Sequence, residues 1–253
     1  MAEPYRLNEA QVRAFRAQGY LYVPGLFSGD EVARITDWVA ELEVRPDRVG
    51  DVWKYFETTA EGDRLLNRVE NFAPHHAGLA GLVEDARLLG ACGQLFSEEA
   101  VLFKDKINFK KPGAGGFEPH QDMQAGWDTY GDLHISVLVA IDAQTAENGA
   151  LEIVPGYHDR GLLGDMWAPL NEAHVAGATW EPCYAQPGDA LFFDSFAPHR
   201  SGPNHTNAAR RAMYLTYGRM SDGDQRARYY ADKHANFPPD IERDPDGDYA
   251  YRV

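Results

Sequence analysis

The 253-residue sequence predicts a mainly β fold with flanking helices. Three observations carry this. Short β-rich runs recur at 101–110, 133–142, 150–154, 180–185, 189–193 and 209–219, separated by Pro, Gly and Asn turn signals, which is the pattern of a β-sandwich or barrel. Helical patterns precede and follow that region, so they pack outside a β core in one mixed domain rather than forming a second. The length suits one large domain and suffices to bury a core without disulfide or metal staples. One domain over 1–253 is expected, with 1–100 as helical support and an edge strand, 101–220 as the β core, and 221–253 as a C-terminal helix and tail.

The elements follow in order. Leu7-Asn8-Glu9 starts a helix with an acidic first turn, Val12 and Phe15 give it an apolar stripe, and Gly19 ends it. Tyr20–Val23 is a strand stopped by Pro24-Gly25. Ser28 and Glu31 form a capping box for a second helix, with Val32, Ile35, Trp38, Val39 and Leu42 inward. Between 44 and 100 the pattern is weaker, and one helix is expected over Leu79–Phe96. The six β-rich runs follow, and a helix is expected from Asp222, giving way to an irregular polar tail after Pro238-Pro239.

Composition narrows function. Asp and Glu number 39 against 24 Lys and Arg, a formal charge of −15, which argues against nucleic acid or an anionic membrane as partner. Residues 1–6 lack an apolar leader, and the longest clean apolar run, Val137–Ile141, is too short to span a bilayer. Cys92 and Cys183 allow one disulfide, but are read as buried free thiols in a reducing cytoplasm. The expected partner is a small-molecule substrate, and the expected state is a monomer or homodimer.

Most of the nine histidines sit in turns or polar surroundings. His120 differs. In Pro119-His120-Gln121-Asp122 the ligand-type residues stand two apart, so on an extended chain they face one side. His199 follows the apolar strand around Phe192-Phe193. Two histidines and one carboxylate make the facial triad of non-haem iron(II) oxygenases. Eleven residues beyond His199, Arg210 can return on a neighbouring strand to clamp a carboxylate, although Arg210 and Arg211 also suit surface ion pairs.

With these residues the sequence resembles the phytanoyl-CoA dioxygenase family of Fe(II)/2-oxoglutarate oxygenases over about residues 7–240. Gly19-Tyr20…Val23-Pro24-Gly25-Leu26-Phe27, Asn148–His158 and Pro187-Gly188-Asp189 add to the resemblance. It implies a double-stranded β-helix, a cupin-like jelly roll with helices supporting one sheet. It implies that His120, Asp122 and His199 bind iron(II) and are the catalytic set. It further implies that Arg210 and Ser201 hold the distal carboxylate of 2-oxoglutarate, that Asn108 contacts the cosubstrate, and that O2 is the oxidant. Two of the three open iron positions go to 2-oxoglutarate and one to O2, with succinate and CO2 as co-products. A halogenase relative would have a small residue at 122, so Asp122 favours hydroxylation.

The strand before the triad alternates, placing Lys104, Lys106, Asn108 and Lys110 on one face and Phe103, Asp105, Ile107 and Phe109 on the other. Lys106 is expected beside the cosubstrate, and a buried lysine calls for an anion, so the substrate is expected to be small and anionic. Lys104, Gln121, Gln124, Trp127 and His134 are candidates for the substrate pocket, with Tyr130 beside them. The run Leu102–Trp127 resembles a subgroup that acts on 2-aminoethylphosphonate. Gly113–Gly116 reads as a turn or lid beside the iron, and 44–75 and 222–240 as further covers. The rivals are a non-catalytic cupin-like binding protein and a zinc hydrolase. The first would keep the barrel without turnover, and the second would not need Arg210.

Overall fold

A computed structural model describes residues 5–59, 62–247 and 249. The reading of residues 1–6 as leaderless therefore falls mostly outside the described residues, as do the last residues of the tail. Helix α1 spans Glu9–Gln18; Asn8 caps it, accepting the Gln11 N–H at 2.9 Å, and Gly19 stops it at φ +78°. Strand β1 is Tyr20–Val23. Helix α2, Gly29–Val44, buries Ile35, Val39 and Leu42, and the Glu31 carboxylate accepts the Ser28 N–H at 2.8 Å.

The stretch of weak pattern holds the main differences from expectation. It contains a hairpin, β2 (Trp53–Thr58) and β3 (Arg64–Glu70), that the sequence pattern did not reveal. The single helix expected over 79–96 is two, α3 (Ala77–Val83) and α4 (Ala86–Phe96). Asp85 divides them: its side chain accepts the Arg87 N–H at 2.8 Å, an N-cap that competes with a continuous helix.

Eight strands follow: β4 (Ala100–Lys110), β5 (Phe117–His120), β6 (His134–Ala140), β7 (Leu151–Ile153), β8 (Glu181–Cys183), β9 (Ala190–Asp194), β10 (His199–Ser201) and β11 (Arg210–Arg219). Helix α5, Arg226–Asn236, follows the last strand, with a 3₁₀ turn at Asp240–Glu242 beyond it. One sheet runs β1-β9-β6-β11-β4-β3-β2 and the other β5-β10-β7-β8. Apart from β7 and β8, which are neighbours in the smaller sheet, successive strands alternate between the two sheets, four to each, which is the double-stranded β-helix. The added strands β1, β2 and β3 extend only the larger sheet.

Strand β6 shows how the layers form. All seven of its residues are buried. Ile135, Val137 and Val139 enter the core beneath the helices, while Leu138 and Ala140 enter the barrel interior with Leu151, Ile153, Leu191 and Phe193. A strand covered on both faces reads as a continuous apolar run. Each such side chain contributes about 1.5–3 kcal/mol on burial. Strand β4 follows its expected alternation except at Phe103. A bulge lies there, because Thr216 pairs with Lys104 and Tyr217 with Leu102. The extra residue turns Phe103 away from Ile107 and Phe109, into an aromatic cluster with Trp127 at 5.4 Å and Tyr229 at 4.6 Å.

Both cysteines are free; Cys92 is buried, and Cys183 is half-buried rather than buried. Among the described residues no helix is long and apolar enough to cross a membrane.

Asp194 ends β9, is 7% exposed, and accepts the Phe196 N–H at 2.8 Å. Burial pushes its carboxyl up to about 6, against the lowering pull of that N–H and of His158. The folded state therefore binds this proton more tightly than the unfolded chain, and stability drains away as pH rises through about 6. Asn keeps the acceptor and removes the titration. D194N is expected to gain about 1–2 kcal/mol at pH 8 and almost nothing at pH 4. Thermal unfolding at the two pH values checks this, with a Tm rise of about 2–6 °C confined to the higher one.

Candidate active site

His120 ends β5 and His199 begins β10, and the two stand directly opposite in the antiparallel pairing, with ring centroids 4.2 Å apart. Asp122 begins the first 3₁₀ turn after β5, which is tied down by Met123 N–H to Ser195 O at 3.0 Å. The nearest ligand-type atoms of the three all lie within 4.8 Å of one another. His120 Nε2 is 4.0 Å and His199 Nε2 3.8 Å from Asp122 Oδ1, too far for hydrogen bonds, so all three face a shared space.

The surroundings fix which atoms face inward. His120 Nδ1 bonds the Glu118 carbonyl at 2.7 Å and His199 Nδ1 the Ala197 carbonyl at 3.0 Å. A carbonyl only accepts, so each Nδ1 carries the proton and each Nε2 offers its lone pair. The other Asp122 oxygen accepts the Ser136 hydroxyl at 2.8 Å, and that hydroxyl lies 3.0 Å from Thr216 Oγ1. Burial, and for His120 the neighbouring His199, lowers both imidazole pKa values, His120 to about 3, so both rings are neutral. Burial alone would raise the Asp122 carboxyl, but His199 and Lys106 carry it below its usual range. Two neutral imidazoles and one carboxylate suit a divalent iron ion, with backbone and hydroxyl partners already holding each ligand.

A second group lies deeper. Arg210 begins β11 opposite Lys110 on β4, and both are buried. Arg210 Nη2 donates to the Gly149 carbonyl at 2.7 Å, while Nε and Nη1 meet no acceptor at bonding geometry; the Tyr214 hydroxyl lies beside the guanidinium. Lys110 donates to Ser201 Oγ at 2.8 Å and to the Gly202 carbonyl, and burial with Arg210 pulls it down to about 7. No carboxylate hydrogen-bonds either cation among the described residues. Two buried like charges, with two guanidinium nitrogens of Arg210 unspent, make a site for an anion. Asn108 on the same face of β4 has its Oδ1 unpartnered. Gly149 permits this assembly: its φ is +71°, and a side chain there would strike the Gly202 backbone.

Between the triad and the surface opens a cavity of about 230 Å³, with Arg68, Lys104, Lys106, Phe117, Glu118 and Trp127 on its wall beside His120 and Asp122. Lys104, Lys106 and Trp127 thus line the cavity beside the triad. Lys106 lies over the Tyr214 ring at 4.8 Å and meets no acceptor among the described residues. Behind the wall, the fully buried Glu70 carboxylate takes Arg68 at 3.2 Å, Lys104 at 4.0 Å, and Lys233 of α5. Arg68, Glu70 and Lys233 were missed by sequence reasoning, and Lys110 was placed on the face of Lys106 without a role. The signal was present in the alternation Arg68-x-Glu70, but only once 53–70 is known to be a hairpin against β4.

Three expected pocket residues are placed elsewhere. Gln121 and Gln124 are fully buried and face away from the cavity. Gln121 Nε2 donates to the Gly161 and Phe196 carbonyls, at 2.8 and 2.6 Å, and its Oε1 accepts Leu163 N–H at 2.8 Å. Gln124 Nε2 donates to the Asp165 and Ala168 carbonyls at 2.7 and 2.8 Å. With Trp167 N–H to Gln124 O and Leu170 N–H to Pro119 O, the two amides strap residues 161–170 onto the ligand-bearing turn. A primary amide surrounded by backbone groups satisfies all of them only by turning inward. His134 is likewise buried, packed 4.4 Å from Phe103 and 5.5 Å from Trp127, behind the cavity wall.

A double-stranded β-helix bearing two histidines and a carboxylate at one mouth defines the class of non-haem iron dioxygenases. The chain belongs to the phytanoyl-CoA dioxygenase family, whose sequence model matches residues 15–212, and is an iron(II)- and 2-oxoglutarate-dependent dioxygenase. A 2-aminoethylphosphonate dioxygenase from an uncultured bacterium is 37% identical over 96% of this chain and 94% of that protein. A methylphosphonate hydroxylase from Gimesia maris is 39% identical over 91% of this chain and 88% of that protein. Among solved structures, EctD from S. alaskensis with 2-oxoglutarate and 5-hydroxyectoine superposes with a TM-score of 0.73 at 23% identity, covering 88% of this chain and 79% of that one. That likeness shows the shared fold.

Proposed function

We propose that the chain hydroxylates a C–H bond of a small organophosphonate, releasing succinate and CO2. In this reading His120, Asp122 and His199 ligate iron(II), Arg210 receives the distal carboxylate of 2-oxoglutarate with Lys110 and Ser201 beside it, and Asn108 faces the cosubstrate. Bound iron and 2-oxoglutarate supply the oxidising chemistry.

The observation that carries the substrate class is the positive end of the cavity. Arg68, Lys104 and Lys233 reach the Glu70 carboxylate, and Lys106 stands beside Arg68 and Lys104 on the cavity wall. Burial, with Lys104 as a like-charged neighbour, lowers Lys106 to about 7. A wall bearing Arg68, Lys104 and Lys106 favours a group that brings close to two negative charges and three acceptor oxygens. The phosphonate-oxidising relatives support the same reading.

The chain's own contributions are positional. The Nδ1 bonds and the Ser136 hydroxyl hold three ligand atoms around one point. The strapped segment 161–170, with Pro169 on the wall, limits water over that point.

Succinate release tests the proposal. The purified protein with Fe(II), ascorbate and 2-oxoglutarate is offered 2-aminoethylphosphonate and methylphosphonate, with β-alanine and acetate as carboxylate counterparts. Substrate-dependent succinate with a phosphonate is expected; succinate with the carboxylates alone would overturn the substrate class. Lys106→Met is expected to raise the KM for the phosphonate about 10–50-fold, from loss of a charge-assisted contact, and the KM for 2-oxoglutarate much less. An unchanged KM for both would remove Lys106 from the site.

A further inference from the structure

The cavity is polarised, and its second pole has no assigned partner. Arg68, Lys104 and Lys106 form one end, on β3 and β4. Apart from the triad carboxylate, the wall carries one acid among the described residues, Glu118 on β5. It is exposed at the mouth, and among the described residues no lysine, arginine or histidine pairs with it. A carboxylate on the wall of a cavity with three cations, yet paired with none, stands apart from them.

Local backbone geometry aims it there. His199 pairs with His120, but Ser201 pairs with Phe117, so β5 holds one residue more than β10 between the two pairs. Such a bulge re-aims side chains, and here both Phe117 and Glu118 reach the cavity wall.

We infer that Glu118 recognises a cationic amino group on the substrate, which makes the preferred substrate an ω-aminoalkylphosphonate rather than a simple alkylphosphonate. The inference rests on the phosphonate reading above and adds the opposite end of the molecule. A zwitterion laid between the two poles puts its phosphonate on the lysines and its ammonium at Glu118. The carbons between then lie against His120 and Asp122. A short alkylphosphonate satisfies only one pole and has no group to hold its far end.

The test compares 2-aminoethylphosphonate with ethylphosphonate, which differs by the amino group alone, in the wild type, E118Q and E118D, by steady-state succinate release. The wild type is expected to favour 2-aminoethylphosphonate in kcat/KM. E118Q is expected to lose about three- to tenfold of that preference, the range for a partly exposed charge pair in a cavity, and E118D to recover part of it. A general disturbance of the mouth would move both substrates together and leave the ratio intact. Turnover of both phosphonates with an unchanged ratio in E118Q overturns the role of Glu118 alone. No succinate from either phosphonate overturns the substrate class and this inference with it.

Discussion

Asp122→Asn is expected to lower turnover by at least about a thousandfold, a loss of about 4 kcal/mol in transition-state stabilisation. The substitution is nearly isosteric. Its carbonyl can take the place of the oxygen that accepts the Ser136 hydroxyl, so the turn after β5 keeps its anchor. What changes is the atom facing His120 and His199, from an anionic oxygen to an amide N–H2 with no lone pair for a metal. Iron bound per chain should fall, and the visible charge-transfer band of the anaerobic complex with Fe(II) and 2-oxoglutarate should vanish. The thermal midpoint should move little. Full iron occupancy with turnover within tenfold of wild type would sink the assignment of Asp122 as a ligand.

The second large effect is expected at Arg210. Arg210→Lys preserves the charge but not the planar group with five donors. At present one nitrogen serves the Gly149 carbonyl and the other two are unspent. An ammonium reaching this point would have to choose between that carbonyl and a carboxylate, beside Lys110. The KM for 2-oxoglutarate is expected to rise about a hundredfold, about 3 kcal/mol, with a smaller change for the phosphonate. A shift below about threefold would place the distal carboxylate elsewhere.

The difference between what could be read in the sequence and what could not follows a physical line. Local signals were legible: the Asn8 and Ser28 caps, the stop at Gly19, the period-2 face of Lys104, Lys106, Asn108 and Lys110, and the spacing of His120 and Asp122. The arginine after His199 was expected on a neighbouring strand, whereas β11 lies in the other sheet, where Arg210 sits opposite Lys110 and reaches the Gly149 carbonyl. Signals that need a long-range partner were not. Strands β5 and β10 are too short to show alternation, and the β2–β3 hairpin is recognisable only from its docking on β4. The amides of Gln121 and Gln124 were misplaced because polarity beside a ligand suggests a pocket. Both are consumed by backbone groups some 40 residues downstream.

That strap has a consequence for how specificity in this scaffold can be altered. Residues 161–170 hang from the side chains of Gln121, which sits between His120 and Asp122, and of Gln124, two residues further on. Any replacement loop inherits a mechanical linkage to the iron ligands, whatever its own contacts with substrate. A graft from a relative would transmit its misfit to the ligand geometry unless it presents carbonyls at the spacing of Gly161, Asp165 and Ala168. The cover and the glutamines beneath it behave as one transplantable unit, and divergence in the one is constrained by the other.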